Sequence, residues 1–531
     1  MTDLFASLIL WFAPVILVWA ARQKKPSRLP IVLVGICLIF AGVAHMAIEG
    51  SATEHVLLAL TPLRFLILGM IVLVAWAVVN YSKQALREEA NAASYWRWLF
   101  ATLAAVVLVV SSNHLLLLWL SWVAISLSLH KLLMFYPERP RARLAAHKKF
   151  IIARTAEICL LIGFVLLGEH FETYYLSEIL LTWEPMFAEQ TVVQVSAVLI
   201  AVTALLKCAQ LPVHGWLIQV VEAPTPVSAL LHAGVVNLGG FLLLITAPIV
   251  LAVPAAVWLV LIVAGLTAVL SALIMITRVS VKVRLAWSTS AQMGMMLVEI
   301  ALGLYELAVV HLIAHSIYKA YAFLSAGNAV HDTLQRRLAQ AGQVQPHDWA
   351  VSLVLSAALV GLGAWAYQEL AVVWFDKQVT SLLSVLLLFW AAMTMLLAQR
   401  HSMAAKGGLM SFSALAAALV FSYYGLKSLA QFVIPSAYVP VAGMFSLPDL
   451  WVSALVVLLV TASLLMHNLP QLRISQKLSM VLFAGLYLDE WATRATLTIW
   501  PIYPRAKPQS IHAMSAAQST SELKEKSHAS N

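Results

Sequence analysis

Charge is scarce in this chain. Only 11% of its 531 residues are Asp, Glu, Lys or Arg, against about 25% in soluble domains. That shortage excludes an ordinary water-soluble fold. Cysteine is scarce too: Cys37, Cys159 and Cys208 each lie inside an apolar run, so neither a disulfide framework nor a metal cluster is expected. No Gly-rich phosphate loop and no soluble domain of any size can be found, which excludes a nucleotide-driven engine within this chain. The net charge of +9 does not point to nucleic acid, because the basic residues sit in short loops between apolar segments, where positive-inside bias accounts for them.

What is abundant is hydrophobic sequence, 62% of the positions. A helix needs about 20 apolar residues to cross about 30 Å of hydrocarbon. Such runs fall near 4–20, 30–48, 62–80, 98–112, 114–136, 150–169, 191–209, 225–247, 254–277, 287–304, 307–329, 350–367, 379–398, 409–426 and 449–467. The expected fold is all-α, a polytopic membrane helix bundle of about 14–16 spans, since backbone groups in lipid must be bonded within the element. The first run precedes its basic cluster, the reverse of a signal peptide, and reads as a first span. Alternate loops hold the Lys and Arg residues, with Lys377 and Lys427 the main exceptions, which predicts an outside N-terminus and a cytoplasmic first loop. Leu478 to Trp500 fits either a sixteenth span or a helix at the interface, because Asp489, Glu490 and Arg494 interrupt it. The expected organisation is N-terminal helices over 1–97, a core over 98–400, C-terminal helices over 401–500 and a disordered polar tail over 501–531.

Ionisable groups inside spans are costly and therefore candidates for function. The densest set is Lys207-Cys-Ala-Gln-Leu-Pro212-Val-His214-Gly-Trp216, followed by Glu222-Ala-Pro224-Thr-Pro226-Val-Ser228-Ala-Leu-Leu-His232-Ala. Pro212 should break or kink the helix behind Lys207, and broken helices at membrane depth line hydrated cavities. Ser228 and His232 lie one turn apart on the next helix. Burial disfavours the charged form of a lysine, which suits a group that loads and unloads protons. A plain structural reading, a snorkelling Lys207 and a hydrogen-bonded core His232, stands beside it. Arg154 and Glu157, three apart, share a helix face, as a functional pair or as an interfacial anchor. His311, His315 and Lys319 form a stripe spaced by four, suited to a proton relay. The His-x-x-x-His spacing also fits a metal, but Lys319 one turn on and the lack of a nearby acid oppose that. Arg64 and Glu299 are single intramembrane charges without a motif.

Lys-x-Ala-Gln-x-Pro-x-His-x-Trp followed by Glu-x-Pro-Thr-Pro-Val-Ser-Ala-Leu-x-His-Ala resembles the signature of the antiporter-like subunits of respiratory complex I and Mrp cation antiporters. The resemblance is strong over about residues 110–330. It implies an inverted-repeat core with Lys207 as the central proton carrier and His232 on the connecting polar axis. Lys148-Lys-Phe150-Ile-Ile-Ala-Arg154-Thr-Ala-Glu157 is similar to the family's Lys-x-Phe-x-x-x-Arg-x-x-Asp, with Glu in place of Asp. His311, His315 and Lys319 resemble its second lysine helix.

The chain departs from that pattern at three places. Ser121-Trp122-Val123 stands where the family has Trp-Glu, whose carboxylate pairs with the central lysine. Trp216-Leu-Ile218-Gln219 replaces Trp-Leu-Pro-Asp, and the Gly-Phe-x-x-Lys segment of a second broken helix is not found after about residue 345. These features, with Gly485-Leu-Tyr487-Leu-Asp489-Glu490-Trp491, better resemble the membrane subunits of DAB-type inorganic-carbon accumulation complexes of bacteria. That resemblance implies cation conduction, H+ or Na+, in the bacterial inner membrane, with no cofactor and no catalytic site in this chain. It also implies a large peripheral cytoplasmic zinc protein, similar to β-carbonic anhydrases, as the partner beside membrane lipid. A pumping subunit of a complex I-like or Mrp-type assembly and a non-conducting scaffold are the other readings.

Overall fold

The computed structural model describes residues 2–23, 27–46, 55–338, 346–375, 382–398, 409–431 and 443–502. Lys377 and the expected tail beyond residue 502 lie outside the described residues. Among the described residues the secondary structure is helical, apart from isolated β-bridges at Leu58–Ser112 and His114–Tyr175.

The first spans are α1 (Thr2–Ala21), α2 (Leu29–Met46), α3 (Pro62–Ala85), α4 (Ala92–Ser111), α5 (Leu115–Leu133) and α6 (Pro140–His170). A short α7 (Leu176–Leu181) leads to α8 (Thr191–Lys207), α9 (Gly215–Gln219), α10 (Thr225–Ala233), α11 (Leu238–Ile245) and α12 (Ala247–Val250). Three further spans follow, α13 (Pro254–Ile276), α14 (Val281–Ala301) and α15 (Tyr305–Leu324). The chain then forms α16 (Ala329–Leu338), α17 (Pro346–Phe375), α18 (Leu383–Ala398), α19 (Leu409–Gln431), α20 (Leu447–Asn468), α21 (Arg473–Phe483) and α22 (Leu488–Ile499).

Among the described residues ten segments are long and apolar enough to cross a membrane, and four shorter apolar helices, at 6–21, 29–45, 191–207 and 383–398, accompany them. With α14, every one of the fifteen expected runs falls on a helix or helix pair. The span expected at 225–247 is not one continuous α-helix. Gly234 interrupts it, a 3-10 turn over Val235–Asn237 follows, and α11 resumes the course. Asn237 steadies the break, its amide nitrogen donating to the Ala233 carbonyl at 3.1 Å and to Ser316 Oγ at 2.7 Å.

One apolar core runs through α1–α6, α8–α15 and the start of α20. A separate one joins α17, α18 and α19. Close helix approach depends on Gly294, where a Cβ would lie 2.6 Å from the Ala264 carbonyl oxygen of α13. The buried Asp449 of α20 caps α18, accepting from the Leu383 and Ser384 amides at 3.0 Å each; a carboxylate suits the positive end of a helix.

The segment 478–500 is not a sixteenth span. It forms α21 and α22, of 11 and 12 residues, joined by a turn with Leu486 at φ 57° and Tyr487 at φ 55°. Each is too short to cross, and α22 lies against α6, where Trp500 stacks on His147 with ring centroids 3.9 Å apart.

Candidate functional site

Helix α8 stops at Lys207, and residues 208–214 leave the α-helix before α9 begins. Pro212 sits in this stretch, its preceding peptide bond cis, with Ala209 at φ 51°. Backbone groups released by such a break must find other partners. Thr267 Oγ1 of α13 accepts from the Leu211 amide at 3.0 Å, and Ser290 Oγ of α14 donates to the Ala209 carbonyl at 3.1 Å. Neither residue stood out in the sequence; a hydroxyl opposite a predicted helix break is the signal that would have marked them.

Around Lys207 the structure gathers α5, α6 and α8. Lys207 Nζ lies 3.5 Å from Glu157 Oε1, and Arg154 Nη2 lies 2.6 Å from Glu157 Oε2. The Arg154 contact is a charge contact without hydrogen-bond alignment. The Lys207 distance exceeds the 2.7–2.9 Å of a tight charge-assisted hydrogen bond, so Glu157 leans toward Arg154. Trp122 lies under the Lys207 ammonium, 5.2 Å from ring centroid to Nζ. The α5 segment without a carboxylate therefore offers a ring face, and α6 supplies the counter-charge. Glu157 is held from behind by Trp119, whose Nε1 donates to the Glu157 backbone carbonyl at 2.8 Å.

Lys149 was not picked out from the sequence, where it read as loop charge. It is buried in α6, donates to the Ser126 carbonyl at 2.7 Å and to Ser126 Oγ at 3.0 Å, and lies within electrostatic range of Lys207 and Glu157. A single carboxylate thus serves three nearby cations.

The rest of the broken-helix motif frames this cluster. His214 is buried with its ring 4.8 Å from that of Trp287. Glu222 stands toward the surface, 3.9 Å from Arg141. Pro224 caps α10 and Pro226 lies in its first turn, where a missing amide costs nothing. Ser228 and His232 are fully buried. Ser228 Oγ and both His232 ring nitrogens have no hydrogen-bond partner among the described residues, and the His232 ring stacks on Phe323 at 4.4 Å. Buried polar atoms of this kind need water or an ion.

A second cluster lies on α15. Lys319, fully buried, donates to the Leu285 carbonyl of α14 at 3.2 Å. His315, one turn away and buried, is within electrostatic range of Lys319, His311 and His232. The expectation that no acid stands near this trio is corrected: His311 Nδ1 lies 2.9 Å from Glu299 Oε2. Its Nε2 lies 2.7 Å from Gln292 Oε1. The acid comes from α14, twelve residues away in sequence, where helix packing rather than spacing creates the pair. Arg64, the other lone charge, is buried at the start of α3 and donates to the Ala59 carbonyl at 3.2 Å.

Lys427 is also corrected. It is no loop residue but lies buried in α19, its Nζ 5.0 Å from the Tyr367 ring centroid. The helix runs a turn beyond the apolar run, and an aromatic face on α17 shelters the ammonium.

The matches with known proteins follow this geometry. The family described as NADH:quinone oxidoreductase/Mrp antiporter, TM, matches residues 112–365, the stretch that holds both clusters. The probable inorganic carbon transporter subunit DabB of Hydrogenovibrio crunogenus is 44% identical over 447 residues, 84% of each chain. The probable subunit DabB2 of Halothiobacillus neapolitanus is 34% identical over 83% of this chain and 80% of its own. NADH-quinone oxidoreductase subunit L of Rhodobacter capsulatus is 28% identical over 56% of this chain and 43% of its own. Among solved structures, the Mrp complex from a Dietzia species aligns with TM-score 0.62 at 22% identity, over 100% of this chain and 63% of that one; at that identity the likeness shows the fold alone. A broken helix ending on a carboxylate-paired lysine, joined to identity across most of the length of two such relatives, places this multi-pass bacterial membrane protein in the DabB family of antiporter-like membrane subunits.

Proposed function

We propose that this chain is the cation-conducting membrane subunit of an inorganic-carbon uptake complex, moving protons through Lys207, Glu157, His232, Lys319, His315 and His311. The observation that carries the reading is the Arg154–Glu157–Lys207 arrangement at the end of the broken helix. One carboxylate shared by two cations makes a charge switch. At an effective dielectric of about 20, unit charges about 4 Å apart attract by about 4 kcal/mol. With Glu157 already held at 2.6 Å by Arg154, moving the Lys207 ammonium an ångström or two away from it changes that attraction on the order of 1–2 kcal/mol, roughly tenfold in proton affinity. A lysine that gains and loses its counter-ion in this way takes a proton from one side and releases it toward the other.

The DabB relatives are named as probable inorganic carbon transporter subunits, which supports carbon uptake as the work that the flux drives. In this reading a large cytoplasmic zinc protein similar to β-carbonic anhydrases binds the chain and hydrates CO2 to bicarbonate. The cation flux down its gradient gates that reaction. Zinc belongs to the partner.

Affinity purification of the chain from its native membrane in mild detergent, with co-purifying proteins identified and zinc assayed, tests the reading. One large soluble zinc protein in stoichiometric amount is the expected result. A set of other antiporter-like membrane subunits would overturn it and return the chain to a complex I-like or Mrp-type assembly.

A further inference from the structure

We infer that Asp489, on the C-terminal helix α22, is the cytoplasmic-side entry carboxylate of the ion pathway, the group through which cations pass between water and the buried polar residues behind it. The inference rests on the proposed conducting role, and loop charge assigns this end of the molecule to the cytoplasm.

Four observations converge on Asp489. It spans the boundary between water and interior: its side chain is 31% exposed, whereas that of its partner Lys148 is 1% exposed. Lys148 Nζ donates to Asp489 Oδ1 at 2.8 Å and Oδ2 at 2.7 Å, and to Thr493 Oγ1 at 2.6 Å. Lys148 is the immediate neighbour on α6 of Lys149, which faces the Glu157–Lys207 cluster.

The far side of the break reaches the same carboxylate. Gln219 of α9 donates through Nε2 to Asp489 Oδ2 at 2.9 Å, and His214 lies within electrostatic range of it. His214 Nδ1, buried, has no hydrogen-bond partner among the described residues.

The backbone is built to admit Asp489. A Cβ at Gly215 would lie 1.6 Å from Asp489 Oδ1 and would force the carboxylate to swing away, so the glycine inside the broken-helix motif leaves the space the carboxylate fills. Finally, α22 is held at both ends, by the left-handed turn at Leu486 and Tyr487 and by Trp500 stacked on His147. Asp489 lies in the first turn of α22.

A mere latch would need only shape and one ion pair. A part-exposed carboxylate that touches α6 and the far side of the break, next to two buried lysines, suits ion entry instead.

The test uses the whole complex, purified from its native membrane and reconstituted into liposomes, with H+ flux read by an enclosed pH dye and Na+ flux by tracer. Asp489→Asn should assemble and lower the flux at least tenfold, while Lys207→Ala abolishes it. Flux within twofold of the parent in Asp489→Asn, with Lys207→Ala inactive, would overturn the entry role and leave the conducting role standing. Parental flux in Lys207→Ala would overturn the conducting role and the entry role together. If Asp489→Asn does not assemble, Asp489→Cys treated with iodoacetate, which attaches a carboxymethyl group to the thiol, decides. Recovery of at least fivefold in flux supports entry through the carboxylate, and no recovery overturns it.

Discussion

Lys207, 15% exposed at the end of α8, and Lys319, fully buried in α15, are held by different means. Lys207 has a carboxylate at 3.5 Å, a tryptophan face and an arginine competing for the same carboxylate. Lys319 has a backbone carbonyl at 3.2 Å and a tyrosine ring at 5.6 Å. A full counter-charge stabilises an ammonium in a low-dielectric interior far more than a dipole does. In the proposed relay Lys207 is the storage site and Lys319 the transfer site, with His232 and His315 within electrostatic range of the second lysine. In that proposal one strong site and one weak one are complementary, because two equally strong sites would trap the ion.

Four substitutions sharpen or break this contrast. Lys207→Ala removes the storage site, and flux through the reconstituted complex should fall about 100-fold, the scale of a lost proton-transfer group, with assembly intact. Normal flux in a well-expressed Lys207→Ala complex would end the relay model. Glu157→Gln leaves Lys207 without its counter-charge and should cost roughly tenfold. The effect of Glu299→Gln is smaller, roughly threefold, because His311 keeps Gln292 as a partner; a loss matching that of Lys207→Ala would show that storage lies on α15 instead. Arg64→Gln should leave flux within about twofold and lower stability by about 1–3 kcal/mol in a denaturation series, since it removes a part-buried, charge-assisted hydrogen bond to Ala59. An Arg64→Gln flux defect larger than that of Glu157→Gln would mean that the wrong intramembrane charge has been placed in the pathway.

Much of this site is legible in the sequence because helical spacing is a local rule. Arg154 with Glu157, and His311 with His315 and Lys319, fall on single faces through 3.6-residue periodicity alone. Pro212 signals the break, since a proline removes a backbone donor wherever the chain folds. The pairing of Glu299 with His311 was not legible, because it depends on how α14 and α15 lie side by side. The interruption at Gly234 was hidden too, since a lone glycine inside an apolar run is as common in continuous spans.

The sequence by itself determined that this is a many-helix membrane protein with a broken helix behind Lys207, because hydropathy and proline act through the nearest few residues. The tertiary structure alone decided which charges meet. Glu157 reaches Lys207 from 50 residues away, and Asp489 reaches Lys148 from 341 residues away. In a low-dielectric interior a charge is stabilised by whichever partner packing brings within a few ångströms, and no local pattern in the chain records that choice.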